Sequence, residues 1–193
     1  MEFLSYYENE RVEDFYKIIF PLLKLEAVME IKILKPNSAE MYRRIRLKAL
    51  QSNPEVFSSS YDEEKEYPLE KFESRLKGDE SFTFGAFDNE QLVGVVTLVI
   101  EKKNKLKHRA TIFAMYVYPE KRRAGYGKNL MIEAIKKAKK IERIEQIYLA
   151  VVSNNEPAKN LYKSLGFETY GIDKNALKVD NTYFDDELMV LFV

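Results

Sequence analysis

Two glycines framed by cations carry the first chemical signal in this chain: Arg122-Arg123-Ala124-Gly125-Tyr126-Gly127-Lys128. An apolar run ends just before it at Pro119, and a helical pattern starts inside it. Glycines between a strand and a helix let backbone N–H groups approach an anion closely, and the helix N-terminus adds partial positive charge. Arg122, Arg123 and Lys128 bring net charge to the same turn. A pyrophosphate there would gain directed donors as well as charge, each helix-end interaction contributing roughly 0.3–1 kcal/mol. Other phosphate motifs fail on spacing. There is no GxxxxGK followed by Ser or Thr, and position 130 is Leu where a dinucleotide fingerprint needs its third glycine. The turn also follows a meander of strands past the middle of the chain, which disfavours a nicotinamide fold.

Composition removes several other chemistries. Cysteine is absent, so there is no disulfide, thiolate metal site or Cys nucleophile. One histidine, His108, makes a His-based zinc site or a His-centred triad improbable. Lysine plus arginine (31) equals aspartate plus glutamate (31), so no global field recruits nucleic acid or an anionic membrane. No apolar run approaches the roughly 18 residues of a membrane span. The first residues lack the basic start of a secretory signal, and the cytoplasm is the expected compartment. At 193 residues, 46% hydrophobic and 32% charged, the chain suits one domain with a full core.

The elements that would position the turn follow from periodicity. Residues 1–28 stand apart: Phe15, Ile18, Ile19, Leu22 and Leu23 have helical spacing, but Pro21 interrupts it. They read as an N-terminal extension; the alternative is a helix covering a sheet edge or a subunit contact in a homodimer. Residues 29–193 are expected to form a single domain. Met29 to Leu34 alternates like a strand, and Asn37 or Ser38 caps a helix to about Leu50 with Met41, Ile45 and Leu50 inward. Residues 51–67 read as a loop, and Leu69 to Lys77 as a helix ended by Gly78. Strands follow at Phe82–Phe87, Leu92–Ile100 and Ala110–Tyr118, the last apolar on both faces and therefore central. A helix from Tyr126 to Lys140 turns Leu130, Ala134, Ile135 and Ala138 inward. Ile147–Val152 is a buried strand, Asn155 and Pro157 open a short helix closing at Gly166, and two strands finish the chain, the last at Glu187–Val193. The order implies an α/β chain with a mixed sheet, a meander followed by a crossover into a parallel neighbour.

Arg122-x-x-Gly125-x-Gly127 resembles the coenzyme-binding signature Arg/Gln-x-x-Gly-x-Gly/Ala of the GNAT superfamily of N-acetyltransferases. Met115-Tyr116-Val117-Tyr118-Pro119 resembles that family's central strand, and Asn155-x-x-Ala158-x-x-x-Tyr162 with Leu165-Gly166-Phe167 resembles its second motif. The likeness covers about residues 29–193. It implies a mostly antiparallel central sheet of about six or seven strands, helices on both faces, and a parallel pair splayed apart around the cofactor. Acetyl-CoA would be the co-substrate, with no metal.

Carried over by resemblance, Met115, Tyr116 and Val117 would hold the pantetheine and acetyl carbonyl by their backbone. Amides from Arg123 through Ala124, Gly125, Tyr126 and Gly127 to Lys128, beside Arg122, would hold the pyrophosphate. Asn155 would contact the pantetheine amide, with Ala158 beside it. Tyr162 would stand near the thioester sulfur as general acid, a role typically contributing about 10²–10⁴ in rate. Its other reading is a core tyrosine, because Ala158, Leu161, Tyr162 and Leu165 share one helical face. Direct transfer to a primary amine needs no covalent intermediate. A lysine-like amine of pKa about 10.4 is neutral in only about one molecule in 2,500 at pH 7, a deficit of roughly 4.6 kcal/mol. No carboxylate lies between Thr111 and Tyr118, so a water relay is the expected base. His108, some 20 Å along the chain from Met115, reads as a solvated loop residue. Asp62, Glu63, Glu64 and Glu66 form either a solvated charge run or an acidic acceptor wall, and Tyr61, Tyr67, Tyr116 and Tyr118 are candidates for an aromatic one. The acceptor is a small amine (polyamine, amino acid, amino sugar) or a peptide amine. A silent CoA-binding or sensing module is the alternative.

Overall fold

The computed structural model describes residues 29–193; the extension expected over residues 1–28 lies outside the described residues. Among these residues seven strands form one mixed sheet, in which the first five in the chain follow one another, the seventh comes next and the sixth stands at the edge. Strand β1 (Met29–Ile33) pairs antiparallel with β2 (Ser81–Asp88), and β2 with β3 (Gln91–Ile100). A two-residue turn closes that hairpin, with Asn89 in the left-handed region that asparagine tolerates. Strand β4 (Arg109–Val117) is central, as its apolar character predicts, and is followed by helix α4 (Tyr126–Lys139) and the parallel strand β5 (Gln146–Val152).

Helix α1 (Ala39–Ser52) buries Ile45 and Leu50 as expected but turns Met41 outward, at 39% exposure. Tyr42 takes the inner position because its ring meets Phe72 of helix α3 (Leu69–Arg75) edge-on at 6.2 Å, which fixes the rotation of α1. Residues 51–67 are more ordered than a loop. They hold a 3-10 turn, Pro54–Val56, and a one-turn helix, α2 (Tyr61–Glu64). Ser60 and Glu63 cap α2 reciprocally, the Ser-x-x-Glu pattern that satisfies two orphan N–H groups.

Helices cover both faces. Leu130, Met131, Ala134 and Ala138 of α4 pack on one face with Ile112 and Leu149, while Ile135 is only partly buried there. Tyr42, Ile45 and Ala49 of α1 with Phe72 and Leu76 pack on the other, against Val95 and Tyr116. The chain's end is one long hairpin, β6 (Glu168–Val179) and β7 (Thr182–Phe192), so the last strand begins five residues before the expected Glu187. Strand β7 inserts between β5 and β6. Among the described residues, no helix is long and apolar enough to cross a membrane.

Two irregularities shape the centre. Val95 pairs with Tyr116 and Thr97 with Phe113, so two residues of β4, Ala114 and Met115, stand opposite one of β3. This is a β-bulge, with Ala114 at φ +52. It inverts the alternation: Ala110 and Ile112 before it, and Met115 and Val117 after it, all face the α4 side. Second, β4 and β5 pair only over Arg109–Thr111 against Gln146–Tyr148. Beyond those pairs the two strands part.

Candidate active site

The splay opens into a cavity of about 1270 Å³ that reaches the glycine turn at one end and the α1 face of the sheet at the other. At the turn, Arg123 (φ +64) and Gly125 (φ +88) are both left-handed, which curls the chain into the start of α4. Helix α4 has no side-chain cap and no acidic residue in its first turn. The short helix α5 (Glu156–Ser164), by contrast, is capped by Asn155. The first N–H groups of α4 thus lack an intrahelical acceptor, and Arg123 and Lys128 beside them line the cavity. Anion chemistry fits this end. At Gly125 a Cβ would meet nothing closer than 3.6 Å, so Gly125→Ala costs backbone strain alone. That strain is about 1–2 kcal/mol, and melting should show a drop of about 2–8 °C.

Arg122 is placed differently from its neighbours. Its Nε donates to the Val117 carbonyl (3.1 Å) and its Nη2 to Asn53 Oδ1 (3.0 Å), with the guanidinium over the Tyr116 ring. It braces the turn against the end of β4 and the end of α1. Ala124 and Tyr126 are not cavity-lining side chains; Tyr126 is 5% exposed and belongs to the core.

Met115, Tyr116 and Val117 form the β4 wall of the splay, and Leu149 to Val152 the β5 wall. Asn155, Ala158 and Tyr162 of the α5 segment line the same cavity. Asn155 Oδ1 accepts from the Ala158 N–H (3.3 Å), and Lys159 Nζ donates to the Ser153 carbonyl (2.9 Å) while reaching Glu187 Oε2 at 3.1 Å. Those contacts fix the loop from β5 into α5. Tyr162 is both core and wall. Its ring packs on Phe167 at 6.1 Å, and burial pushes its phenol up to about 12.

The far end of the cavity was not legible as such. Its walls include Phe57, Phe113, Tyr148 and Tyr170 rather than Tyr61, Tyr67 or Tyr118. None of Asp62, Glu63, Glu64 and Glu66 lines it. Asp62 pairs with Lys65, Glu63 caps α2, and Glu64, 1% exposed, accepts from Arg46 (2.8 and 3.2 Å) and Arg75 (2.7 Å). Arg46 in turn lies 5.0 Å from the Phe57 ring, so this buried triad bolts the segment after α1 over the sheet. A carboxylate does reach the cavity, from β7. Asp186 lines it, and its Oδ1 is buried with no hydrogen-bond partner among the described residues. Burial, and then Asp173 on β6, hold its carboxyl above the ordinary range. His108 stays in the turn before β4, its carbonyl accepting from Glu145 and Gln146. Among the described residues no group of His, Cys, Asp and Glu could hold a metal.

Residues 31–188 match the family model described as an acetyltransferase (GNAT) domain. A curated relative, the N-alpha-acetyltransferase of Sulfurisphaera tokodaii, is 32% identical over 109 residues. That match spans 53% of this chain and 65% of the relative, less than two thirds of its length. A probable acetyltransferase from Staphylococcus epidermidis is similar in structure, with TM-score 0.69, 26% identity, and coverage of 86% of this chain and 99% of the other. Arabidopsis thaliana NAA60 in complex with acetyl-CoA shares the fold at TM-score 0.67 and 21% identity, over 86% and 99% of the two chains.

Proposed function

Because this chain belongs to the acetyltransferase (GNAT) family, we propose that it transfers the acetyl group of acetyl-CoA directly to a primary amine, the amino terminus of a polypeptide. The observation that carries the reading is the single cavity joining an uncapped helix N-terminus to a parallel strand pair with unpaired edges. A pyrophosphate suits the first, and an amide-bearing chain suits the second. The resemblance to a complex containing acetyl-CoA supports the same ligand here.

In this reading the amides from Arg123 to Lys128 hold the pyrophosphate, and the β4 edge from Met115 to Val117 hydrogen-bonds the pantetheine. Asn155 and Ala158 lie along it. The thioester supplies the acyl group. A β4 amide steadies the oxygen as it gains charge, in a site where preformed donors act with little water to screen them. Tyr162 donates to the departing sulfur. The domain is residues 29–193, and its setting is the cytoplasm.

The name of the Sulfurisphaera tokodaii relative supports an α-amine as acceptor. So does its chemistry. An α-amine of pKa about 7.7–8.0 is neutral in roughly one molecule in ten at pH 7, a deficit of about 1 kcal/mol against roughly 4.6 for a lysine. Thiol release from acetyl-CoA tests this against peptides with free or blocked amino termini, polyamines and amino sugars. Peptides with free termini should turn over and blocked ones should not. Turnover of polyamines alone would move the acceptor to small amines. Cofactor binding with silence across the whole panel would make the protein a CoA sensor.

A further inference from the structure

Along β7 the side chains alternate. Met189 belongs to the core beneath α4, and Glu187 meets Lys159 of α5. Asp186 and Leu188 therefore face the opposite side of the sheet, the α1 side, together with Tyr148, Ala150 and Val152 of β5. Asp186 pairs with Val152, which stands at the wide end of the β5 wall. The Asp186 backbone is thus one strand spacing, about 4.8 Å, behind the wall of the splay, and its side chain lines the cavity. It lies on the face away from the α4 and α5 helices, and its Oδ1 has no partner among the described residues.

A buried carboxylate oxygen without a partner costs stability. Asp173, directly across the strand pair, adds like-charge repulsion. The fold contains other carboxylates that avoid both costs: Glu64 has two arginines, Glu187 has Thr169 and Lys159, and Asp185 has Lys174. Among the described residues, Asp186 is the carboxylate that lines the cavity with a buried oxygen left unpaired.

We propose that Asp186 receives the acceptor amine, its carboxylate holding the incoming ammonium and accepting the first proton that the nitrogen must lose. This rests on the acetyltransferase reading and deepens it. The protons balance as follows. The amine arrives as R–NH3+, and Asp186 takes one proton directly or through a water, then releases it to solvent. The freed lone pair forms the C–N bond as the carbonyl electrons move to oxygen, and their return breaks the C–S bond. The second proton leaves the nitrogen as Tyr162 gives its own to sulfur, restoring the phenol. One N–H remains on the amide. Overall, an ammonium and a thioester become an amide, a thiol and one released proton.

Asp173 of β6 pairs directly with Asp186; the other charged and titratable groups lining the same cavity include Tyr170 from β6, Tyr148 from β5, Glu55 from the 3-10 turn, Glu101 after β3, Arg109 of β4, Arg46 of α1, whose charge is committed to Glu64, and Arg122, Arg123 and Lys128 at the glycine turn. Lys174, next to Asp173, is committed to Asp185. Burial and Asp173 both raise the Asp186 carboxyl, and none of these cations lies close enough to offset them.

The test compares the full chain with Asp186→Asn, using a short peptide with a free amino terminus and spermidine as probes. Acetyl-CoA affinity should change by less than about twofold, and the melting temperature should hold or rise. At pH 7 kcat/KM should fall by about 10²- to 10⁴-fold, the range of general-base contributions. That loss should shrink as pH rises past the amine's own pKa, because the amine then arrives neutral. Asp173→Asn should stay active and move the acid limb of the profile to lower pH. A loss under threefold at pH 7, or an equal loss at every pH, overturns the role of Asp186 alone. A wild-type chain that binds acetyl-CoA yet releases no thiol with these probes or with any other amine of the panel above overturns the transferase reading and this proposal with it.

Discussion

Tyr162→Phe is expected to bind acetyl-CoA with near wild-type affinity and to lose about 10²- to 10⁴-fold in kcat. The phenol is buried, and its pKa, pushed up to about 12, keeps it neutral at pH 7 and well above. An alkyl thiol has a pKa near 8.5, so outright proton transfer from this phenol to a thiolate would be uphill by about 5 kcal/mol. The raised value therefore favours a hydrogen bond that strengthens as charge builds on sulfur. The proton moves only as the nitrogen's second proton refills the phenol. Two consequences separate this from a core role. The lost rate should appear in kcat with KM for acetyl-CoA nearly unchanged, and neither limb of the pH profile below about pH 10 should belong to Tyr162. Single-turnover kinetics with a melting curve for the same variant check both. Unchanged kcat would leave Tyr162 as packing for Phe167.

Glu64→Gln is the variant expected to cost most in stability. Burial works against the Glu64 charge, but the hydrogen bonds and charges of Arg46 and Arg75 outweigh it and hold the carboxyl down to about 2. Relative to the ordinary 4.5, that is worth about 3 kcal/mol at neutral pH. Breaking a buried pair by removing one partner typically costs about 3–5 kcal/mol, since it strands the other charge. For a chain of this size the melting temperature should fall by about 6–20 °C. The sign with pH follows from the lowered value. The contribution is complete above about 4.5 and is lost as pH falls toward 2, so wild type and variant should converge in acid. Asp62→Asn, which touches only an exposed pair with Lys65, should shift the melt by little. Equal melting of Glu64→Gln and wild type at pH 7 would mean that the triad carries no net stability.

These two residues mark what sequence could and could not show. The glycine turn was legible because its requirements are local: a left-handed Gly125, a helix start, and a proline ending the strand before it. The start of α5 was legible for the same reason, an asparagine cap followed by Pro157 inside the first turn, whereas spacing alone left Tyr162 equally readable as a core tyrosine. Glu64 was not. It sits in the run Asp62-Glu63-Glu64, and only the arrival of Arg46 and Arg75 from two other helices separates a buried ion from a solvated one. Asp186 was hidden in a similar run, Asp185-Asp186-Glu187. Each member meets a different fate there because β7 is inserted between β5 and β6 and alternates faces. Met41 and Tyr42 are both plausible inner residues of α1, and a contact with Phe72, some thirty residues away in the chain, chooses between them. The bulge at Ala114 leaves no glycine to betray it. Pairing across the sheet decides such features, and spacing along the chain does not record it.

The short seam between β4 and β5 has a mechanical side. Three residue pairs join the block β1–β4 to the block β5–β7–β6, so the sheet has a waist at its own centre. A ligand lying in the gap and bonded to both edges acts as a keystone. Bound to the native state alone, at a hundred times its dissociation constant it would add about 2.7 kcal/mol to folding. Amide exchange should report that gain most strongly at the β4 and β5 edges beyond the seam. The lifetime of the empty protein, and so its standing level, would then follow the supply of the ligand that it consumes.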